Sequence, residues 1–302
     1  MDGLIIETLG RMAAKARLTL DRGQLDAFGR FGDLLIERNR IYNLTAIDDE
    51  YDVMFRHFWD SLSLAVHSKE LSEAYAAAKS GGDGGSGGCR DGYSNEDGEN
   101  GGNGGFKSGS GGGYGGEWDC NSGSGGGGVS GDVGGCRGSA TCRPEIKRLV
   151  DVGAGAGFPG IPLKILFGEY LSVTLIDSIG KKADFLNELI DLLKLKGCCA
   201  IHARAEEAVG RPGMGGGFDF ATARAVASLP DLLGYCMPFL TPGGVFIAMK
   251  GRLAATEQEL AKPQWRRAIG KHNCVLRAIT QYFICDETGR THERTLVTVI
   301  KE

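Results

Sequence analysis

The stretch Asp151-Val-Gly-Ala-Gly-Ala-Gly-Phe158, directly after the apolar pair Leu149-Val150, constrains the fold more than any other part of this sequence. It reads as a buried strand breaking into a glycine turn, and Pro159 and Pro162 suit the first turn of a helix running on through Leu163, Ile165 and Leu166. Glycine at 153 and 155 lets backbone approach a small molecule, although such a turn also forms where a helix simply packs on a strand. Further strands are expected at 148–152, 173–177, 199–202, 218–223 and 245–249, with helices at 181–195 and 229–240. This alternation predicts an α/β fold with a parallel, doubly wound sheet. Two closing strands, 276–284 and 294–300, joined by turn residues 286–289, predict a terminal antiparallel hairpin.

Before the turn lie helical patterns. Leu25, Phe28, Phe31, Leu34 and Leu35 recur at helical spacing after Asp21, a suitable cap, and the pattern continues to about residue 40. Stretches 4–16 and 53–66 supply further helices, so residues 1–79 are expected to form an N-terminal helical unit.

Between the two regions the composition changes abruptly. Residues 80–140 hold 27 of the chain's 50 glycines, leaving 23 for the other 241 positions. So few branched apolar residues cannot offset the entropy of ordering, so the window is expected to be a disordered insertion within one fold. It carries three basic groups (Arg90, Lys107, Arg137) against eight acidic ones, which turns a chain of net charge -4 into a remainder of +1. Tyr93, Phe106, Tyr114 and Trp118 are isolated there, and the excess acid argues against nucleic-acid binding by that window. The organisation expected is therefore 1–79 helical unit, 80–140 insertion and 141–302 α/β core carrying the glycine turn.

The nine cysteines form no CxxC pair. Cys89, Cys120, Cys136 and Cys142 sit in or beside the insertion, while Cys198, Cys199, Cys236, Cys274 and Cys285 lie in apolar or strand-like surroundings, so reduced thiols and no metal site are expected. There is no run of 18 apolar residues and no secretory signal, which predicts a soluble protein of a reducing compartment.

The glycine spacing selects among ligands. A dinucleotide fingerprint needs glycine or alanine where Phe158 stands, and Gly157 comes one residue early, which argues against NAD. The acid-any-Gly-any-Gly ending of the strand instead resembles S-adenosylmethionine (SAM) methyltransferases. Asp177 closes the second strand, where a carboxylate can accept both hydroxyls of a ribose, or can cap the helix that follows. Arg204-Ala-Glu-Glu207 follows the third strand and places Ala205 and Glu206 near an adenine, while Arg224, ending the fourth, can reach the methionine carboxylate or the mouth of the site.

Taken together, the segments resemble the RsmG (GidB) family of small-subunit ribosomal RNA guanine-N7 methyltransferases. The resemblance runs through Arg38-Asn-Arg-Ile-Tyr-Asn-Leu-Thr45, Arg56-His-Phe-Trp-Asp-Ser61, Asp151 to Leu163, Leu175-Ile-Asp-Ser-Ile-Gly-Lys-Lys182, Arg204-Ala-Glu-Glu207, Ala223-Arg-Ala-Val-Ala-Ser-Leu229, Ala248-Met-Lys-Gly251 and Glu293-Arg-Thr-Leu296. It covers the chain except the insertion, which stands where the family has a short link. The resemblance implies SAM contacts at Gly153, Phe158, Ala205, Glu206 and Arg224, with Asp177 and Ser178 beside them, and the glycine turn itself adds Gly155 to this cofactor-binding set. It also implies an RNA-facing set of Arg56, Lys181, Lys182, Arg204, Lys250 and Arg294. Arg56, His57 and Asp60 are expected either to reach the mouth or to be buried structure.

Guanine N7 carries a lone pair, so methyl transfer to it needs no general base. No catalytic acid or base is therefore assigned, and Arg224 and Lys250 are the positioning candidates. The expected partner is small-subunit ribosomal RNA or the assembled small subunit, met by a monomer away from membranes. A bacterial-type cytoplasm fits the family, a plastid or mitochondrion fits the insertion, and Asp2 and Glu7 give a transit peptide no support. A non-catalytic RNA-binding protein on the same fold, or an NAD-dependent enzyme, are the competing expectations.

Overall fold

In the computed structural model, which describes residues 1–80, 145–224 and 226–302, the alternating apolar runs become seven strands. These are β1 (Lys147–Val152), β2 (Leu171–Asp177), β3 (Cys198–His202), β4 (Phe218–Arg224), β5 (Leu240–Lys250), β6 (Cys274–Cys285) and β7 (Thr291–Lys301). They form one sheet in the order β3-β2-β1-β4-β5-β7-β6. The first five are mutually parallel and β7 runs antiparallel between β5 and β6. The order reverses at β1, between β2 and β4, which is where open parallel sheets place ligands. The insertion, its aromatic residues and cysteines 89, 120, 136 and 142 lie outside the described residues, as does Ala225.

β1 is buried on both faces, with Leu149 to Val152 all covered, Asp151 among them, because helices pack on both sides. On one side lie α1 (Gly3–Lys15), α2 (Arg22–Tyr42), a helical run from Glu50 to His67 that includes α3 (Glu50–Val53), α4 (Asp60–Leu62) and α5 (Leu64–His67), and α6 (Lys69–Ser80). With α7 (Gly160–Phe167) and α8 (Gly180–Leu193) they share one apolar cluster, from Leu9, Phe28 and Phe31 to Leu163 and Phe185. The helical unit is thus cemented to the sheet. Gln24 Nε2 donates to the carbonyls of Ile165 (2.7 Å) and Leu166 (3.1 Å), satisfying orphan acceptors at the end of α7. Arg38 pairs with Glu188 of α8 at 2.5 Å.

The opposite face carries α9 (Ala205–Ala208), α10 (Leu229–Cys236), α11 (Leu253–Leu260) and α12 (Pro263–Lys271), whose apolar sides join Val150, Phe246 and Val297 in a second cluster.

Three expectations are corrected. The helix expected to reach residue 240 stops at Cys236, because Pro238 cannot continue it and a short 3-10 turn, Met237–Phe239, hands the chain to β5. Leu240 is a strand residue, paired with Phe218. The single helix expected over 53–66 is interrupted by a π-helical segment, Met54–Trp59, and α6, α11 and α12 were not anticipated.

Candidate functional site

The glycine turn leaves β1 with Gly153, Gly155 and Gly157 at φ of 71°, 59° and 95°. Residues with a Cβ avoid this left-handed region, so the run of glycines is a backbone requirement. The three differ in surroundings. A Cβ at Gly153 would come within 2.5 Å of Val226, and one at Gly157 within 2.9 Å of Ile161, whereas at Gly155 the nearest atom, Gly153 O, is 3.9 Å away. Gly155 therefore faces open space, and it alone of the three leaves room for a ligand against the backbone. Gly160 supplies helix-to-strand contact instead, since a Cβ there would lie 2.4 Å from Leu175.

Two carboxylates hold this turn. Asp177 accepts from Gly155 N (2.8 Å) and Ile179 N (2.9 Å), tying the turn to the start of α8. The bond to Ile179 N closes a local turn just before α8, whose first turn takes no side-chain cap, so the capping role anticipated for Asp177 is not made, and the same carboxylate borders Gly155. Asp151, fully buried, accepts from Gly160 N at 2.8 Å and fixes the start of α7. Burial pushes its carboxyl up to about 7. Its Oδ1 and the hydroxyl of Thr222, the facing residue on β4, are both buried beside each other.

The end of β4 meets the N-terminal helices through a buried charge network. Arg224 donates to His57 Nδ1 (2.9 Å), to the Arg56 carbonyl (3.3 Å) and to Asp60 Oδ2 (3.4 Å). Arg294, from β7, donates to Asp60 Oδ1 at 2.8 Å. Asp60, buried, thus serves two guanidiniums, and the cluster retains positive charge. The π-helical segment ends at Asp60 and presents Arg56, His57 and Asp60 to Arg224; such bulges often mark functional sites. Burial and the adjacent Arg224 push His57 down to about 3, so its ring is neutral near pH 7. With Nδ1 accepting, Nε2 carries the proton and donates to Thr45 Oγ1 at 2.8 Å. The ring stacks on Phe158 at 4.4 Å, and the Arg224 guanidinium lies 4.9 Å from the centre of that same ring. Phe158 is therefore a buried packing link between glycine turn and helical unit.

The remaining candidates divide by exposure. Ser178, Lys181, Arg204 and Glu206 are exposed and Lys182 half-buried, while Ala205 is buried beneath them. Lys181, Lys182 and Arg204 form no ion pair among the described residues. Lys250 instead pairs with Glu259 of α11 at 2.8 Å and points to the Ala227 carbonyl at 3.4 Å. Arg56 is half-exposed, 3.5 Å from Asp52. Sequence reasoning gave no role to Asp151, Thr45 or Thr222. All three stand within or beside the quoted segments, but only the sheet register and the π-helical segment bring them to the site.

A family model described as rRNA small subunit methyltransferase G (GidB) matches residues 138–281. Among individual proteins, the ribosomal RNA small subunit methyltransferase G of Leuconostoc citreum is 32% identical over 249 residues, 82% of this chain and 73% of that one. The protein of that name from Acetivibrio thermocellus is 35% identical over 234 residues, covering 78% and 66% of the two chains. That from an Exiguobacterium species is 32% identical over 282 residues, covering 93% and 84%.

Proposed function

The chain belongs to the family of ribosomal RNA small subunit methyltransferases G, and on that premise we propose that it methylates N7 of one guanine in small-subunit ribosomal RNA at the rim around Gly155. The observation that carries the reading is the turn after β1. It lies at the reversal of strand order, with a left-handed glycine open to solvent at 155 and the ends of β2, β3 and β4 around it. SAM fits this cradle: Gly155 and Asp177 would hold it along the turn, with Ser178, Ala205 and Glu206 at the adjacent strand ends, while Gly153, covered by Val226, shapes the turn beneath. Phe158 and Arg224 would bound it from the side of the helical unit.

When bound, SAM supplies an electrophilic methyl group; the chain's part is placement. N7 attacks through its own lone pair, so no side chain has to remove a proton first. Holding two reactants in line is worth on the order of 7 to 11 kcal/mol, which suits a site with no general base. Arg224 is held on three sides by His57, Asp60 and the Arg56 carbonyl, so its position is set before substrate arrives. Lys250 and Arg294 are paired and shape the mouth, whereas Lys181, Lys182 and Arg204 are available to RNA phosphate.

We infer further that residues 1–79 act as part of the methyltransferase, that 80–140 is an insertion into it, and that the chain works as a monomer in a bacterial-type cytoplasm. Incubating the purified protein and SAM with unmethylated small-subunit ribosomal RNA, naked or in the assembled subunit, followed by mass mapping, should reveal one 7-methylguanosine. A methyl group found on another atom or on no RNA position would count against the reading.

A further inference from the structure

The basic groups at the rim are not the densest on the chain. From Lys262 to Cys285 the sequence runs 24 residues without an Asp or Glu while carrying Lys262, Arg266, Arg267, Lys271 and Arg277, in a chain whose acids outnumber its bases by 38 to 34. The structure gathers these cations on one surface. In α12 the apolar side, with Trp265 buried and Ala268 and Ile269 half-buried, packs against α10, so Lys262, Arg266, Arg267 and Lys271 are all exposed. Arg277 is exposed on the neighbouring edge strand β6. None of the five forms an ion pair among the described residues. Asp231, on α10, is occupied by the Ser228 hydroxyl at 2.5 Å. Between α10 and α12 lies a shallow cavity of about 360 Å³, lined by Tyr235, Gln264, Arg267, Lys271 and His272 as well as Asp231.

We propose that the exposed side of α12, with Arg277 and the cavity beside it, is a second RNA-docking surface that grips phosphodiester backbone on the sheet face opposite the N-terminal helices. The proposal rests on the ribosomal RNA reading given above. Solvated cations on a helix are usually interspersed with acids; α12 carries none, and Asp231 across the cavity ion-pairs with none of the five among the described residues, so positive charge dominates the surface and favours a polyanion. Three of the five are arginines, whose planar fork matches phosphate. Lys262 and Lys271 stand nine residues apart, roughly 13 Å along a helix, so the row follows an extended run of charge and not a single anion. Tyr235 and Gln264 add a ring and an amide at the edge of the cavity. α10 begins five residues after β4 ends at Arg224, so one RNA can reach both the catalytic rim and this face.

The test is the full-length triple variant Arg266→Ala, Arg267→Ala, Lys271→Ala, with an unchanged melting temperature and unchanged tryptophan fluorescence, to which the buried Trp265 contributes, showing that α12 still docks. With naked small-subunit ribosomal RNA, the slope of log affinity against log salt should fall by about three, one per lost phosphate contact. KM for RNA should rise while kcat at saturating RNA and SAM affinity stay unchanged. Lysine at 266 and 267 should retain most of the slope. An unchanged slope and KM would overturn the proposal. So would a defect seen only with assembled subunits and not naked RNA, which would mark the face as a protein contact. If the wild type itself methylates no ribosomal RNA, the functional reading fails, whereas the salt slope still reports on this surface.

Discussion

Two groups of basic residues that look alike in the sequence are opposites in the structure. Arg224, Lys250 and Arg294 are largely buried and each is ion-paired, whereas Lys181, Lys182 and Arg204 stand unpaired at the ends of β2 and β3. The difference is one of origin. The buried arginines lie where the helical unit closes over the sheet, so taking a guanidinium out of water demands a carboxylate partner, and Asp60 is shared by two. The rim lysines face solvent and need none. The first group ties elements of the fold together, and the second is left facing solvent.

The largest expected effect tests the buried group. Asp60→Ala strands two guanidiniums, and removing one partner of a buried pair is worth about 3 to 5 kcal/mol, so a denaturant titration should show a loss of that size. A loss below about 1 kcal/mol would mean that solvent already compensates the arginines and that the two groups differ less than their burial suggests.

A smaller effect separates backbone from ligand. Gly155→Ala meets no steric neighbour, so its structural cost is limited to the left-handed φ, roughly 1 to 2 kcal/mol. SAM binding measured by calorimetry should nevertheless weaken well over tenfold, because the methyl group occupies the open cradle. Retained SAM affinity would place the cofactor elsewhere.

The buried carboxyl beneath the turn predicts a pH dependence. Asp151 is raised in the folded chain to about 7 from an ordinary 3.8. The folded state thus holds a proton that the unfolded state releases, and this contribution is complete below about pH 4, falls between pH 4 and 7 and is gone above. Asp151→Asn stays neutral, so wild type should lose stability relative to it across that window. His57, lowered to about 3, acts with the opposite sign: its contribution is present above about pH 6.5 and lost as pH falls. Because both proteins contain it, comparing the two leaves Asp151 alone. A constant difference from pH 4 to 8 would show that Asp151 is ionised throughout.

The mildest change addresses the rim. Lys181→Ala with Lys182→Ala should leave stability and SAM affinity near wild type and lower the RNA salt slope by about two. An identical slope would make this pair a solvated helix start.

The strand-turn-helix at Asp151 was legible residue by residue, since an apolar run, φ-permissive glycines and helix-starting prolines are local properties. The alternation that predicts a parallel sheet, the closing hairpin and the helical stripe of Leu25, Phe28 and Phe31 were legible for the same reason: periodicity of side chains is written along the chain. Other features depend on distant contacts. Pro238 divides a helix from a strand only because Leu240 finds Phe218 across the sheet. Gly153 and Gly155 look equivalent in sequence, yet Val226, more than seventy residues away, fills the space beside one and not the other. Whether a given arginine faces solvent or an aspartate is likewise a matter of what folds over it. Asp60 and Arg294 lie 234 positions apart, and no local pattern records their pairing. The sequence by itself determined the class of fold and the place of the turn, because both follow from short-range geometry; tertiary structure decided which charges are buried, since burial is set by the whole chain's packing.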